Sequence, residues 1–489
     1  DGKFVWVNQY GGSGDDIGNS IAIDNSGNII TTGYFTGTTI FDPSTGVLNT
    51  TANKTVFISK IAPDGSFIWA KQFSDTCSGN SVKTDKNGNI YLTGNFKDTV
   101  DFDPSISEYK LASEGGDDFF VVKINTNGNL IWAMRIGNEL DENSRAIALD
   151  AYNNVYTTGF FTNTVDFSPN SDTFYLSSNG GKNTFILKLD KNGKFIWANA
   201  FKGEANDAYG ITLDKYHNVY TTGVFAKTID FDPDTSVYNL SSSGNNLSVF
   251  ISKLNSDGKF VWAKKITGGL LNFGNSITSD NSGNIYTTGY SYGSSDFNPN
   301  SGVYNLTSKG YGDAFILKLN NNGEFIWASL MGSLLFDVGN DITVDYNGSI
   351  YTTGYFNGIV DFNPYSDTFE LTSNGGNDIF IQKLEQKFYS KDTACNSFTS
   401  GTGQVWTVSG DYIDTISNYF GCDSIINRNI KIYNLFDTTL ASDTACDSIV
   451  INGNWYDSTQ IVIDTFQRSV YSGCDSIVRS PIIINTTAQ

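Results

Sequence analysis

GITLDKYHNVYTTGVFAKTIDFDPDTSVYNLSSSGNNLSVFISKLNSDGKFVWAKKI, residues 210–266, holds the pattern from which most of the chain is built. β-Branched and aromatic residues alternate in four short runs, GITLD (210–214), NVYTTGVFA (218–226), SVFISKL (248–254) and KFVWAKKI (259–266). Turn formers separate them: KYHN between the first two and NSDG between the last two. Such runs predict antiparallel strands joined by tight turns, with an irregular stretch between the second and third. No segment sustains the 3.6-residue period of an amphipathic helix, so almost no helix is expected.

The last run recurs as GKFVWV (2–7), GSFIWA (65–70), GNLIWA (128–133), GKFIWA (193–198), GKFVWA (258–263) and GEFIWA (323–328). Trp6, Trp69, Trp132, Trp197, Trp262 and Trp327 therefore stand 63, 63, 65, 65 and 65 residues apart. A fixed period of this length means one supersecondary unit copied along the chain. Four strands per copy and six copies predict an all-β fold, a six-bladed β-propeller spanning 1–384. The first strands, SIAID, SVKTD, AIALD, GITLD, SITSD and DITVD, place Ile21, Val82, Ile147, Ile211, Ile277 and Ile342 on one face. Mostly small residues follow on the other face, with Lys83 the exception. The first copy of the Trp phrase has no strands before it, and the last copy ends at Leu384 with no such phrase after it. Residues 2–7 are therefore expected to pair beside 379–384 and close the ring, removing two sheet edges. The same strand passed between molecules would build a chain of subunits instead.

With 51 acidic and 31 basic residues, the net charge is −20. Nucleic acid is excluded as a partner, because binding it requires clustered Lys and Arg. No apolar run approaches the roughly 20 residues of a membrane helix. No signal peptide is visible at Asp1, which reads as a processed or truncated form. Cys395, Cys422, Cys446 and Cys474 lie in two similar stretches after the repeats, and Cys77 stands alone. Cys395–Cys422 and Cys446–Cys474 are the simplest of the three pairings open to four cysteines. They predict a linker at 385–391, then small disulfide-bearing β modules at 392–434 and 443–485. Such modules belong in an oxidising compartment, so the chain is expected outside the cell or on its outer surface.

The phrases DxxGNIYTTGYF, DFDP and FILKLxxxGxFIWA resemble the SBBP-type β-propeller repeat of secreted bacterial proteins. The resemblance covers residues 1–384 and implies no enzymatic activity. The family is described with seven blades, against six copies here. The two tail modules resemble Cys-paired β repeats of surface proteins exported by type IX secretion. That resemblance also implies O-glycan acceptors at Thr393, Thr415, Thr444 and Ser476.

Catalysis has little raw material. The single histidine, His217, occupies a turn position held by Gly or Asn in the other copies, and no Cys/His cluster has metal spacing. The acidic phrase after the second strand reads IFDP (40–43), DFDP (101–104), DFSP (166–169), DFDP (230–233), DFNP (296–299) and DFNP (361–364). Asp101, Asp103, Asp230 and Asp232 have the oxygen chemistry for calcium, the one cofactor in view. Six-fold recurrence favours another role: Asp fixes a turn, Phe packs inward and Pro stops the strand. Long connections between second and third strands and between copies leave one edge of the propeller, where binding specificity usually sits. Leu270, Leu271, Leu334, Leu335 and Phe336 lie in the variable copy-to-copy loops, as local packing or as a contact patch. The chain thus reads as a non-enzymatic secreted or cell-surface adhesion module for an unidentified protein or glycan. Its tail modules would be a spacer or tether. A homo-oligomeric extracellular assembly and a polysaccharide-active enzyme are the alternatives.

Overall fold

The alternating runs of 210–266 form one antiparallel sheet in the computed structural model, in the order Asn206–Leu213, Val219–Phe225, Ser248–Leu254 and Phe260–Ile266. The structure describes residues 4–42, 46–50, 54–74, 76–169, 172–178, 180–244, 246–364, 368–385, 388–395, 397–399, 403–417, 423–433, 437–439, 443–446, 449–451, 454–456, 458–467 and 475–485. The same sheet appears in each copy. We number the sheets in chain order, beginning at Asp16–Ile23, Cys77–Thr84, Asn143–Leu149, Asn206–Leu213, Leu271–Ser279 and Val338–Val344. Sheets one to five have four strands; the sixth has three, ending with Asp378–Leu384. First strands of successive sheets lie against one another from the first sheet to the sixth.

Each turn between first and second strands is shaped by an aspartate. In the fourth sheet, Asp214 Oδ1 accepts the N–H groups of Tyr216 and Asn218 at 2.8 and 2.9 Å, and Asn218 Nδ2 donates to Asp214 Oδ2 at 2.7 Å. His217 sits in this turn at φ 62°, a left-handed conformation that Gly27, Gly88, Gly283 and Gly348 also adopt. The buried Tyr220 hydroxyl donates to Asp214 Oδ2 at 3.0 Å, and Lys253 Nζ lies 5.0 Å from the Tyr220 ring centroid. The first sheet has Ile30 in place of this tyrosine, and there Lys60 pairs directly with Asp24 at 2.9 Å.

The tryptophans of the first four sheets' fourth strands reach the next sheet. Trp69 Nε1 donates to Thr126 O at 3.2 Å, Trp132 to Lys191 O at 3.2 Å, Trp197 to Ser256 O at 3.3 Å and Trp262 to Asn321 O at 3.2 Å. Lys123, Lys188 and Lys253 donate to the same three last carbonyls, each at 3.1 Å. Apolar faces fill the rest of each interface. Val56 and Ile58 of the first sheet pack with Val82 of the second, and Val249 and Ile251 of the fourth pack with Ile277 of the fifth.

Two expectations need correction. The stretch read as irregular contains a two-stranded ladder in copies two to six, as in Thr228–Asp230 with Asn239–Ser241. It is held because Asp230 Oδ1 accepts the N–H groups of Asp232 and Tyr238. The ring closure is also not made. Residues 4–8 lie outside any strand, and Asp378–Leu384 pairs with Ile350–Phe356 and with no second strand among the described residues. Instead, Trp6 Nε1 donates to Pro63 O at 2.9 Å and Asn8 Nδ2 to Gly65 O at 2.7 Å, which holds this segment on the first sheet.

Residues 385–489 form the second unit. Its first strand, Phe388–Cys395, begins inside the stretch expected to be a linker and pairs in parallel with Asp423–Tyr433, which also pairs antiparallel with Gly410–Ser417. A similar group follows: Asp443–Cys446 runs parallel to Asp475–Asn485, and Gln460–Gln467 runs antiparallel to it. Cys395 and Cys446 end strands, while Cys422 and Cys474 lie outside the described residues, as does any pairing between them. Thr393, Thr415, Thr444 and Ser476 are all strand residues.

Candidate binding surface on the loop-rich edge

Each first strand carries a one-residue bulge in its pairing with the second strand. The bulged residues are Asn19, Asn80, Arg145, Tyr209, Asn275 and Asn340. Three of the four asparagines tie neighbouring sheets together: Asn19 Nδ2 donates to Gly79 O, Asn80 Nδ2 to Ser144 O and Asn275 Nδ2 to Gly339 O, each at 2.9 Å. Arg145 and Tyr209 break this series in adjacent sheets.

Arg145 Nη2 instead donates to Asp207 Oδ2 at 3.0 Å, and its guanidinium lies 4.8 Å from the Tyr209 ring and 5.6 Å from that of Phe160. The exposed Lys182 sits 3.7 Å over the same Phe160 ring. Burial raises the carboxyl of Asp207 from its ordinary range, with Arg145 opposing the shift. Burial, helped by the Asp207 charge, pushes the Tyr209 hydroxyl up to about 12. Five buried polar atoms at this seam lack a partner among the described residues: Asn183 Oδ1, Thr184 Oγ1, Asn206 Nδ2, Asp207 Oδ1 and Arg145 Nε. Unpaired buried polar atoms also occur at other sheets, as at Asp118 and Asp313.

An aromatic row continues from this seam. Tyr209 lies 6.3 Å from Phe273, Phe273 stacks on Tyr290 at 4.9 Å and 13°, and Tyr290 meets Phe336 edge-on at 5.6 Å. The row ends in a copy-to-copy loop, so Phe336, singled out from sequence, belongs to it. Leu270, Leu334 and Leu335 remain exposed on loops at this edge, and Leu271 pairs with Tyr292 in the fifth sheet. Copy-to-copy segments also bridge to the acidic connections, Lys202 to Asp230 and Thr267 to Asp296. Both long loop classes therefore meet on one edge.

The calcium candidates do other work. Asp101 Oδ1 accepts the N–H groups of Asp103 and Tyr109 at 3.0 and 2.8 Å, as Asp230 does for Asp232 and Tyr238. Asp103 and Asp232 each accept a further amide two residues on. Among the described residues, no three His, Cys, Asp or Glu side chains group as a metal site. Cys77 is buried and reduced, with Val56 N–H donating to its sulfur at 3.4 Å. Between the second and third sheets, burial pushes Glu142 up to about 7 and Asp118 up to about 6, the latter against the opposing pull of Arg135.

Residues 261–298, from the fourth strand of the fourth sheet through the acidic phrase of the fifth, match the model of the SBBP β-propeller repeat. The chain contains an SBBP β-propeller repeat. The match includes Trp262 and Asn275, two of the structural positions above, but neither Arg145 nor Tyr209. An uncharacterized WD repeat-containing protein of Acanthamoeba polyphaga mimivirus is 25% identical over 73% of this chain, and the match spans 31% of that relative's length. Among solved structures, a protein of unknown function from Bacteroides caccae is 10% identical, with a TM-score of 0.29, covering 64% of this chain and 81% of that one. Sqt1 from Chaetomium thermophilum is 10% identical, with a TM-score of 0.33, covering 84% and 93%. No helix among the described residues is long and apolar enough to cross a membrane.

The departures at Arg145 and Tyr209 were missed in reading the sequence, although a signal was present. Lining up GNS, GNS, NSRA, DAYG, GNS and GND shows asparagine giving way in two adjacent copies.

Proposed function

We propose that this chain is a non-enzymatic binding scaffold and that its partner docks on the loop-rich edge at the seam between the third and fourth sheets. One observation carries the reading: Arg145, Asp207 and Tyr209 replace a repeated structural asparagine contact with charge, aromatic surface and unpaired polar atoms. Half-buried aromatics beside arginine are the composition of binding hot spots. Arg145 and the exposed Lys182 stand out in a chain of net charge −20, so the fitting partner is a protein segment that places carboxylates beside apolar side chains.

The acidity and the four tail cysteines support display outside the cell, with the modules of the second unit as spacer or tether, disulfides at Cys395–Cys422 and Cys446–Cys474, and glycans at Thr393, Thr415, Thr444 or Ser476. Adhesion is the role that fits this layout. A random peptide library displayed on phage tests the site. Wild-type protein should enrich acidic, aromatic-containing peptides, and the repeat-restoring variant Arg145→Asn/Tyr209→Asn should not. Equal enrichment by both proteins would remove the site from this seam. Enrichment of glycans instead, on a glycan array, would replace the partner class.

A further inference from the structure

Each of the five seams between successive sheets buries a polar pair. One member is the first residue of a third strand, and the other stands three positions before the bulge of the next sheet. The backbone defines the pair in the same way at every seam. The N–H of Cys77, Glu142, Asn206, Asn272 or Asp337 donates to the carbonyl just before the third strand, at 2.6–3.1 Å. All ten residues are at most 2% exposed. Three pairs are neutral: Thr55 with Cys77, Asn183 with Asn206 and Ser248 with Asn272. The other two are pairs of carboxyls, Asp118 with Glu142 between the second and third sheets and Asp313 with Asp337 between the fifth and sixth.

Both carboxyls of a pair meet one step of the copy-to-copy loop. A side-chain carbon added at Gly332 would come within 2.4 Å of Asp313 Oδ1, and the next residue, Ser333, gives its N–H to Asp337 Oδ2 at 2.6 Å. Asp337 Oδ1 accepts the Asn357 N–H at 2.9 Å, which ties the loop to the corner after the second strand. The other seam repeats this: Gly137 lies against Asp118, and Glu142 accepts the N–H groups of Asn138 and Thr162 at 2.7 and 3.2 Å. Asp118 Oδ1 and Asp313 Oδ1 are left without a partner among the described residues. Two carboxyls buried side by side do not both ionise readily. Burial pushes Asp118 and Asp313 up to about 6 and Glu142 up to about 7, and it raises Asp337 from its ordinary range. The other carboxyl of the pair adds to the rise at Glu142 and Asp313. The charges facing the two pairs differ. Asp118 meets Arg135 Nη1 at 2.8 Å, with Glu114 on the same guanidinium and Asp117 hydrogen-bonded to Asp141 through its N–H. Leu330 takes the register position of Arg135 in the fifth sheet. There Asp313 faces Lys309, whose N–H it accepts at 3.1 Å, and Asp337 faces Lys309 and Tyr355.

We propose that each carboxyl pair keeps one proton between its members and works as a latch, closing the copy-to-copy loop while the proton is held and releasing it when the proton is lost. The pair titrates as a unit, with the second ionisation placing two like charges in one buried contact. An unfolded chain gives up this proton in the ordinary carboxylate range, so closure is complete in mild acid and is lost as pH rises through the folded-state values. The latch between the fifth and sixth sheets has the larger consequence. With Leu330 in place of an arginine, no guanidinium offsets its second charge, and its loop carries the exposed Leu334, Leu335 and Phe336. Release therefore changes how this apolar stretch is presented on the loop-rich edge. The neutral pairs at the other three seams make the same backbone contact with no carboxyl to titrate. The proposal does not depend on the partner site at Arg145.

Hydrogen–deuterium exchange of the full chain, corrected for the intrinsic rate at each pH, reads the latch directly. Protection of residues 332–337 should fall at least about tenfold between about pH 5 and about pH 8. Residues 267–272, at the neutral seam of Ser248 and Asn272, should keep theirs. Asp313→Asn/Asp337→Asn copies the Asn183 and Asn206 pair and should hold the protection of 332–337 constant across the range. Constant protection in the wild type, or an equal fall in the folded double variant, would overturn the proposal. Carbon-13 NMR of the wild-type chain labelled at its aspartate carboxyls needs no variant. Carboxyl resonances that still titrate above about pH 5 are expected, and ionisation of every aspartate below that pH would overturn the proposal as well.

Discussion

The seam between the first and second sheets and the seam between the third and fourth occupy the same place in the repeat but are built differently. In the former, Asn19 closes onto Gly79, and Val56 and Ile58 meet Val82 in a dry contact. In the latter, Arg145 meets the buried Asp207, Tyr209 lies beneath the guanidinium, and five buried polar atoms have no partner among the described residues. The difference teaches how to read a repeat array. Residues that recur state what each sheet needs to stand beside its neighbour. Residues that depart from the series, at a cost in burial, mark where something besides folding has been selected.

The largest effect that would break this contrast concerns a recurring residue. Phe231 packs among Phe201, Phe225 and Phe250 at centroid distances of 4.8–5.6 Å. Phe231→Ala should therefore cost about 3–5 kcal/mol in urea unfolding while sparing partner binding by the folded fraction. A cost under about 1 kcal/mol would mean that the acidic phrase is not a packing device.

At the departing seam, Arg145→Ala strands a carboxylate that is 8% exposed. The guanidinium itself is about a third exposed, so the expected loss is reduced to about 2 kcal/mol. The double variant Arg145→Asn/Asp207→Ser returns the seam toward the repeat and should recover to within about 1 kcal/mol of wild type. If the double variant were as unstable as the single one, the ion pair would not be the feature that distinguishes this seam.

Acid titration sharpens the contrast between the second and third sheets. Glu142 has a folded pKa of about 7 against an ordinary 4.5, and Asp118 about 6 against 3.8, both raised by burial. Between those limits the folded state binds more protons than the unfolded state, so stability falls as pH rises from about 4.5 to 7. Glu142→Gln should flatten that slope by about 3 kcal/mol across the window. A slope that is unchanged in Glu142→Gln would assign the titration elsewhere.

The smallest effect separates turn formation from metal binding. Asp230→Ala removes the acceptor for two amides and should cost about 1–1.5 kcal/mol. Calcium or EDTA should leave the wild-type unfolding midpoint where it is. A midpoint raised by calcium would restore Asp230 and Asp232 as ligands.

Strand alternation and the 63- to 65-residue period made the sheets, their order and the inward-facing Phe of the acidic phrase legible from the sequence. The clasp between sheets was hidden, because Trp132 finds Lys191 O only after two strands and their turns have folded. The open ends were hidden for the same reason. Trp6 carries the right phrase, but the sequence does not say that it rests on Pro63 rather than beside Ile381. The binding seam was half visible: Arg145 and Tyr209 stand out against asparagine in aligned copies, whereas Asp207 and Asn183 acquire meaning only once buried side by side.

The central claim is that the departing residues, not the recurring ones, hold the partner. Calorimetric titration of a peptide enriched on the wild-type protein, compared against Arg145→Asn/Tyr209→Asn at an unchanged unfolding midpoint, tests it most directly. At least a tenfold loss of affinity, about 1.4 kcal/mol, is predicted. Equal affinity in the two proteins would contradict the account.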